Sequence, residues 1–317
     1  MHSAVVSQGQ LLAQDLFHLI QSLDPAVFRL DLEQKVEQLT VQVRARLEDM
    51  LAECQRTQDD SAAAFAEVVE PLSQQFDEFL AARRDGAATW MAFFRSLQPG
   101  YDALALRLGA VAKDIKLPEL RPTNHARSLV HIGNGFFALA VLQLGTALHS
   151  QVFAGAFALF AWTSETVRRI SPAANRVMMT FFGPIAHAHE THKINSATWY
   201  ATALLILSFT VPAAYSSVAV VVLGLADPAA AYFGRRYGKI RLINGRSLEG
   251  SMAFALVGFL SGAAVLALFS ALSPSQVLVY AAVGGVVGAL AELVSGRKVD
   301  DNLTIPLAVG FALFGLG

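Results

Sequence analysis

The hydrophobic positions of this chain follow two different patterns. Up to about residue 127, apolar residues recur at spacings of three and four, which predicts amphipathic helices. Three such stripes stand out: Val36, Leu39, Val43, Leu47 and Leu51; Phe65, Val68, Leu72, Phe76 and Phe79; and Trp90, Phe94, Leu97, Tyr101, Leu104 and Leu108. After residue 127, long uncharged runs replace the stripes. Residues 128–164, 194–226 and 250–291 contain no Asp, Glu, Lys or Arg.

These uncharged runs predict membrane spans, because a spanning helix needs about 20 predominantly apolar residues. Each run is divided by a predicted turn into two candidate spans, with the turns at His149–Gln151, Val211–Ser217 and Ser273–Ser275. A shorter run, 303–317, adds a seventh. The predicted fold class is therefore all-α: a polytopic membrane helix bundle of about seven spans, preceded by a soluble helical domain.

Composition and charge divide the chain at the same point. The whole chain is 54% hydrophobic and 15% charged, well below the quarter of charged residues that is typical of soluble domains. Residues 1–127 carry a net charge of −5 and residues 128–317 a net charge of +4. We therefore predict a soluble acidic helical bundle or coiled coil over 1–126 and a polytopic membrane domain over 127–317.

The first domain carries no catalytic constellation, so a packing module, or one that forms a homo-oligomer, is the expected role. The single cysteine, Cys54, excludes a disulfide framework within one chain and indicates no redox or thiolate–metal site. The N-terminus has no basic start followed by an apolar core, so no signal peptide is predicted. No nucleic acid partner is expected.

The positive charges of the second domain indicate its orientation. With seven spans, all 11 of its Lys and Arg residues fall in 165–193, 235–249 and 297–302, on one side of the membrane. Cytoplasmic loops carry such an excess. We therefore expect a multi-pass membrane protein whose N-terminal domain and functional site are cytoplasmic.

An acidic residue lies inside one of the apolar runs. Asp227 is followed by Pro228, and then by Gly234 and Gly238, which share its helix face. Acids inside spans are costly and are functional candidates by default. Pro228 removes a backbone donor and is expected to open the helix locally. The alternative is a helix-packing face whose acid pairs with a neighbouring span.

The polar segment after Gly234 is suited to anion binding, because it carries cations and then enters a helix N-terminus, where N–H groups and the helix dipole attract anions. Its candidate residues are Arg235, Lys239, Arg246, Ser247, Glu249, Gly250 and Ser251. The guanidinium of Arg246 matches phosphate geometry, and Gly250 would let an anion approach. The alternative is that Ser247 is only an N-cap and the cations are ordinary cytoplasmic anchors.

Two other span ends carry polar residues on a shared helix face. Arg127 and His131 share one face with Gly135 where the first span begins. Glu292 shares a face with Gly284 and Gly288 at the end of the sixth. Glycines at such spacing indicate close helix packing first of all, and this packing would carry Glu292 into the interface.

Two further clusters raise the possibility of a metal. Asp300, Asp301 and Asn302 form a hard-oxygen cluster that suits Mg²⁺, although Asn302 as an N-cap, with acids favouring the helix start, is a sufficient explanation by itself. The stretch from His187 to His192 contains three histidines and Glu190. Its spacing matches no common zinc motif, which favours an interfacial loop.

Taken together, these motifs resemble the polyprenol kinase family, which includes dolichol, phytol and farnesol kinases and the CTP-dependent diacylglycerol kinases, within the wider CTP-transferase group. The family pattern runs Arg-Lys-x-x-His, Asp-Pro-x-Ala-x-x-x-Gly-Arg-x-x-Gly, Lys-Ser-x-Glu-Gly-Ser, and Glu-Leu-x-Ser leading to Asp-Asn-Leu-x-Ile-Pro. The corresponding segments here are Arg127–His131, Asp227–Gly238, Arg246–Ser251 and Glu292–Pro306. They occur in order over about 190 residues, essentially the whole membrane domain.

This resemblance implies a kinase domain that transfers a phosphoryl group from CTP, with Mg²⁺, to a lipid alcohol within the bilayer. It implies a catalytic set of Asp227, Glu292, Arg127 and His131, and a metal set of Asp227, Asp301 and Asn302. Asp227 would serve the metal or the substrate hydroxyl. The nucleotide would be held by Gly234, Arg235, Gly238, Lys239, Arg246, Ser247, Glu249, Gly250 and Ser251.

The chain departs from the family pattern at two positions: Ser128 stands where a second basic residue is usual, and Arg246 where lysine is usual. Two other functions stay open. A cytidylyltransferase would make a CDP-lipid, but the predicted membrane domain contains neither the Lys-Asp pair nor the His-Gly-Gly-x-x-Asp-Arg stretch of the kind that family carries. A non-enzymatic lipid transporter or scaffold would use the helical domain to recruit a partner.

Overall fold

The chain folds almost entirely into helices. The computed structural model describes residues 4–24, 33–57, 59–81, 87–112, 115, 117, 120, 124–182, 194–296 and 299–317. Within these residues there are twelve α-helices, one short 3-10 turn and no strand longer than a single bridge. The predicted all-α class is confirmed. The chain divides into two compact units, Met1–Thr123 and Asn124–Gly317.

The first unit is a four-helix arrangement. Its helices are α1 (Ala4–Leu23), α2 (Glu33–Thr57), α3 (Asp60–Ala81) and α4 (Ala87–Val111). Each packs on its sequence neighbours, and α1 also packs on α4, so the four enclose one apolar core. The three predicted stripes lie on α2, α3 and α4. The sequence prediction missed α1, although its buried residues, from Val5 to Leu23, repeat at helical spacing.

The second unit is built around one central helix. Its elements are α5 (His125–Leu144), α6 (Ala147–Ile170), α7 (Pro172–Phe182), α8 (Ser196–Thr210), α9 (Ala213–Tyr237), α10 (Leu248–Phe269), α11 (Pro274–Val294) and α12 (Asp301–Phe314). Helix α9 contacts α5, α8, α10, α11 and α12. Most residues of α9 from Ser216 to Ala226 are therefore buried.

Three of the described helices, α9, α10 and α11, are long and apolar enough to cross a membrane. Helices α8 and α12 are apolar but shorter. Helices α5, α6 and α8–α12 coincide with the seven predicted spans, and the count of seven stays a prediction. The first turn lies at Gly145–Thr146, because His149 completes the capping box of α6 instead of forming the turn.

Small residues bring the central helices together. Gly135 on α5 faces Gly224 on α9, where an added Cβ would lie 3.3 Å from the opposite Cα. This contact fixes α5, and with it Arg127 and His131, against α9. Helix α9 runs through Pro228 without ending, so the expected local opening of the helix is not observed.

Candidate active site

One arginine and two carboxylates form the centre of the polar cluster. Arg246 lies in the loop before α10, and its Nη1 is 2.6 Å from Oε1 of Glu292 on α11. Its Nη2 is 3.1 Å from Oδ2 of Asp301, the first residue of α12. Glu292 is 2% exposed, so this ion pair is removed from water. The geometry brings Arg246 to two carboxylates that lie 46 and 55 positions further along the chain.

Asp227 lies beside this centre. It is partly buried on α9 and within electrostatic range of Asp301, His131, Arg246 and Arg127. Among the described residues, no group donates a hydrogen bond to its carboxylate. An acid in an apolar helix that is surrounded by charges but not hydrogen-bonded can accept a proton or hold a ligand.

A second chain of hydrogen bonds links the start of α5 to the start of α12. Nη2 of Arg127 donates to Oγ of Ser196 at 3.1 Å, and Ser196 donates to Oδ2 of Asp300 at 3.2 Å. Asn302, which is buried, donates from Nδ2 to Asp300 at 2.8 Å and to Asp301 at 3.0 Å. The Asp300–Asn302 segment thus joins Arg127 to the Arg246 centre.

The same segment does contain an N-cap, as the alternative interpretation of these residues predicted, but at a different residue. Asp300, not Asn302, is the N-cap of α12, and its Oδ1 accepts from the backbone N–H of Asn302 at 2.9 Å. This leaves Asp301 and Asn302 to point into the cluster. Capping and a functional role are therefore compatible here.

Burial and neighbouring charges set the ionisation of the loop residues. Burial by itself would lower the pKa of the Arg246 guanidinium. The carboxylates of Glu292, Asp301 and Asp227 have the larger, opposite effect, so the pKa lies above its ordinary value and the group stays cationic. Burial and the adjacent carboxylate of Asp301 raise the pKa of Asp300 to about 6. Carboxylates outnumber cations in the cluster, which favours binding of a further cation.

The loop between α9 and α10 is held at both ends. Oε1 of Glu249 accepts from the backbone N–H of Lys239 at 3.0 Å. Asn244 adopts a left-handed backbone with φ of 54°, and its Nδ2 donates to the carbonyl oxygen of Leu293 at 3.1 Å. Asn244 thereby caps the end of α11, one residue beyond Glu292, and holds Arg246 close to that carboxylate.

The motif glycines lie where α9 and α10 touch. A Cβ on Gly238 would come within 2.7 Å of Oγ of Ser247, and a Cβ on Gly250 would lie 3.2 Å from the Cα of Gly234. Oγ of Ser247 accepts from the N–H of Gly250 at 3.1 Å, as an N-cap does. Close packing therefore accounts for these glycines, and their contact with a nucleotide stays a prediction.

Two buried polar atoms of the Arg246–Ser251 segment have no hydrogen-bond partner among the described residues. They are Nε of Arg246 and Oγ of Ser251. Buried polar atoms in proteins are nearly always paired with protein or with ordered water, so these two atoms are open to a ligand or a water molecule. Arg235 is partly buried in the last turn of α9, and Lys239 is exposed at the start of the loop.

The donor chemistry fits Mg²⁺, although the side chains do not form a finished metal site. Asp227, Asp301 and Asn302 offer carboxylate and amide oxygens, the ligands that Mg²⁺ prefers. In the described part of the chain, no group of three or more His, Cys, Asp or Glu residues is arranged to hold an ion. Because Mg²⁺ usually takes only one or two carboxylates together with waters and substrate phosphates, the residues present suit a metal that arrives with a nucleotide.

A cavity of about 320 Å³ opens next to this cluster. Its wall includes four members of the polar cluster: Arg127, His131, Ser196 and Asn302. The rest is mainly apolar and comes from α5, α6, α8 and α9, together with Met178 of α7. The buried ion pair of Glu165 and Arg168 on α6, with Nε of Arg168 2.8 Å from Oε2 of Glu165, also lines it.

Three residues of this region were missed by the sequence prediction as site residues: Ser196, Asn244 and Glu165. Ser196 and Asn244 carry no charge, and nothing in the linear pattern distinguishes them. Glu165 ends an uncharged run of 37 residues, a signal of the same kind as that of Asp227. The His187–His192 stretch, which raised the zinc alternative, lies outside the described residues, as do Lys193, Arg297 and Lys298.

The chain is similar in sequence to known lipid kinases. The chain is 26% identical over 201 residues to the CTP-dependent diacylglycerol kinase 1 of Schizosaccharomyces pombe, covering 59% of this chain and 91% of the relative. It is 25% identical over 200 residues to the protein of the same name from Saccharomyces cerevisiae, covering 57% and 69%. It is 28% identical over 183 residues to the probable phytol kinase 2, chloroplastic, of Glycine max, covering 53% and 63%.

No protein-family profile and no solved structure matches the chain. The resemblance to the polyprenol and lipid kinases is nevertheless confirmed, because the homologues are CTP-dependent diacylglycerol kinases and a phytol kinase.

Proposed function

We propose that this protein is a membrane-embedded kinase that transfers the γ-phosphoryl group of CTP to the hydroxyl of a lipid alcohol. The observation that carries the proposal is the cluster of Asp227, Arg246, Glu292 and Asp301, which comes from three helices and a loop and adjoins a largely apolar cavity. The names of the homologues supply CTP and the lipid.

The nucleotide binds along the loop from Arg235 to Ser251. Phosphoryl transfer depends mainly on positioning and charge stabilisation, and Arg235, Lys239 and Arg246 supply the positive charge. The unpartnered Nε of Arg246 and Oγ of Ser251 support this position, since phosphate oxygens would satisfy both. Glu292 holds the guanidinium of Arg246 in orientation before the nucleotide arrives.

Asp227 acts on the acceptor. Its carboxylate accepts the proton of the lipid hydroxyl as the hydroxyl oxygen forms a bond to the γ-phosphorus and the bond to the CDP leaving group breaks. Arg127 and His131, both within electrostatic range of Asp227, stabilise the negative charge of the phosphoryl group while it is transferred from CTP to the lipid. Their position on the cavity wall supports this assignment.

Mg²⁺ is the proposed metal, held by Asp227, Asp301 and Asn302. When bound, it would neutralise charge on the transferred phosphoryl group. The excess of carboxylates in the cluster supports this set. Asp300 holds Asn302 in place through two hydrogen bonds of 2.9 and 2.8 Å to its backbone N–H and its side-chain amide.

The reaction takes place at the cytoplasmic face, with CTP arriving from the cytoplasm and the lipid from the adjoining leaflet. All site residues lie at or toward the helix ends that carry the basic loops, and an excess of Lys and Arg is typical of the cytoplasmic side. The polyprenol, phytol-like and diacylglycerol classes all remain acceptors under this proposal.

The test is a transfer assay with the purified full-length protein, CTP labelled at the γ-position and a panel of lipid alcohols. A kinase gives labelled lipid phosphate and CDP. Pyrophosphate with a CDP-lipid product would instead establish a cytidylyltransferase, and lipid binding without any turnover would favour a transporter or scaffold.

In the same assay, Asp227→Asn is expected to lower turnover by about 10²- to 10⁴-fold, the usual contribution of a positioned base. The control is Tyr232→Phe, five residues further along α9 on an exposed position, which should retain turnover. Normal turnover by a well-folded Asp227→Asn variant would remove Asp227 from the mechanism.

A further inference from the structure

We propose that the 320 Å³ cavity between α5, α6, α8 and α9 is the binding site of the acceptor lipid, with the lipid hydroxyl at Arg127, His131 and Ser196. The inference rests on the proposed kinase function and assigns a location to its second substrate. Ser164 and Phe160, which none of the sequence motifs contains, and Val130, a non-polar position within the first motif, become determinants of acceptor binding.

Continuity with the polar cluster is the first argument. Arg127, Ser196 and Asn302 belong both to the cavity wall and to the hydrogen-bonded chain that reaches Asp301. A molecule whose polar end meets these side chains therefore stands next to Asp227, which lies within electrostatic range of Arg127 and His131. The cavity leads to the reacting centre and not to a remote surface.

The lining of the cavity is the second argument. Most of its surface is apolar, with Val130, Phe157, Phe160 and Leu223 among the contributors. Its volume lies at the lower end of the roughly 300 to 1,000 Å³ that small-molecule sites occupy. It holds the head of a lipid and the first part of a chain, but not a whole lipid.

The remainder of the lipid's hydrocarbon chain can leave the cavity toward the bilayer. Phe160 is 64% exposed and Val130 is 39% exposed, so the cavity wall continues onto the apolar outer face of the bundle. In a bilayer, that face meets lipid chains. A lipid alcohol can therefore enter sideways, with its hydroxyl at the cluster and its hydrocarbon still in the membrane.

The two substrates approach from different sides. In the described part of the chain, no residue of the 235–251 loop lines the cavity. Asn302 on the cavity wall donates to Asp301, and Asp301 pairs with Arg246 of the loop. The Asp301–Asn302 pair thus links the nucleotide loop to the cavity, which is the arrangement that a direct transfer between two bound substrates needs.

The buried ion pair of α6 makes the wall rigid. Oε2 of Glu165 accepts from Nε of Arg168 at 2.8 Å and from the backbone N–H of Asn195 at 3.3 Å. Asn195 is the N-cap of α8, so Glu165 fixes the start of the helix on which Ser196 lies. The cavity is consequently preformed on its polar side and does not depend on a ligand to order it.

Two pairs of matched variants test the proposal in the full-length protein. Val130→Trp and Ser164→Phe fill the cavity. Their controls, Leu129→Trp and Val167→Phe, lie beside them on α5 and α6, are exposed and do not line it. The KM for the acceptor is measured with 1,2-dioleoylglycerol and with phytol, and the KM for CTP is measured alongside.

We expect each cavity variant to raise the acceptor KM by about tenfold or more while the KM for CTP stays within about twofold, the pattern of lost ground-state binding for one substrate. The control variants should keep both constants. An unchanged acceptor KM in a cavity variant that still phosphorylates lipid would overturn the cavity assignment and leave the kinase proposal standing.

Photolabelling with a diazirine-bearing diacylglycerol gives a readout that does not require turnover and that a folding defect cannot mimic. Labels on the wild-type protein should map to 127–135, 157–168 and 195–200, and excess 1,2-dioleoylglycerol should suppress them. Labelling at these segments without phosphorylation of any acceptor would support the cavity and overturn the kinase proposal. Labels confined to other helices would overturn the cavity.

Discussion

At the scale of single residues, Arg246 shows how a departure from the family pattern fits its surroundings. Two of its nitrogens reach two different carboxylates, at 2.6 Å to Glu292 and 3.1 Å to Asp301. A planar guanidinium presents several donors in fixed directions, whereas an ammonium is a single compact charge. The arginine thus links α11 to α12 directly, a link that the usual lysine would make less completely.

Substitutions of Arg246 should separate charge from geometry. Arg246→Lys keeps the cation that the family normally has, so turnover should stay within about tenfold, with a loss of stability of about 1–3 kcal/mol for the weakened hydrogen bonds. Arg246→Gln leaves the buried Glu292 without its cation, which typically costs about 3–5 kcal/mol, and should abolish turnover.

The measurements are lipid phosphorylation and thermal unfolding in detergent, with Arg241→Gln as the control. Arg241 is an exposed cation of the same loop, so its loss should leave both quantities nearly unchanged. Equal losses from Arg246→Gln and Arg241→Gln would mean that the loop acts only through its overall charge.

At the scale of helices, glycine allows α9, α10 and α11 to approach closely enough to carry the site. Gly285 on α11 faces the backbone of α10, where an added Cβ would lie 2.9 Å from the backbone N of Phe259. Gly258 on α10 faces Gly285 in turn. Because the crowding atoms belong to backbone, they cannot move aside as a flexible side chain would.

Gly285→Ala should therefore force α10 and α11 apart. Overpacking of this kind typically costs about 1–3 kcal/mol, and the displacement of α11 should also weaken the Glu292–Arg246 contact and lower turnover. Gly155→Ala on α6 is the matched control, since its Cβ would meet nothing within 4 Å and alanine is the better helix former. The measurements are thermal unfolding and turnover of the two variants. A Gly285→Ala variant as stable as Gly155→Ala would contradict the close packing of α10 on α11 at Gly285.

At the scale of the whole second unit, alternating helix directions gather the site at one end of the bundle. The site takes residues from the first turns of α5, α8 and α12, from the C-terminal halves of α9 and α11, and from the loop before α10. Successive spans run in opposite directions, so these positions come to one side. The basic loops share that side, which is why we expect it to be cytoplasmic.

Single cysteines should report this orientation. Lys239→Cys in the α9–α10 loop and Ser275→Cys at the start of α11 are both exposed positions, and Cys54→Ser supplies a background without other thiols. An impermeant thiol reagent should label Lys239→Cys only from the cytoplasmic side and Ser275→Cys only from the opposite side. Labelling of both from one side would break the proposed topology.

The sequence by itself determined the class of the protein. Helical spacing of apolar residues and long uncharged runs predicted an all-α protein with membrane-spanning helices. The two patterns differ because a helix of a soluble domain keeps one polar face toward water, whereas a helix in lipid is apolar along its whole length. The motifs predicted the lipid kinase relationship. Asp227, Arg246, Glu292 and Asp301 could be singled out as candidates, because a charged residue at the edge of an apolar run is costly unless it is used.

Only the tertiary structure decided how these residues meet. Ser196 and Asn244 gain their roles from contacts between elements that are distant in sequence, and a hydroxyl or an amide carries no linear signal of such a contact. The fold also uses the motif glycines to bring α9 onto α10, a role that the linear motif does not reveal; their approach to a nucleotide stays a prediction. The cavity likewise has no sequence signature, because its volume depends on the spacing of four helices and not on any one of them.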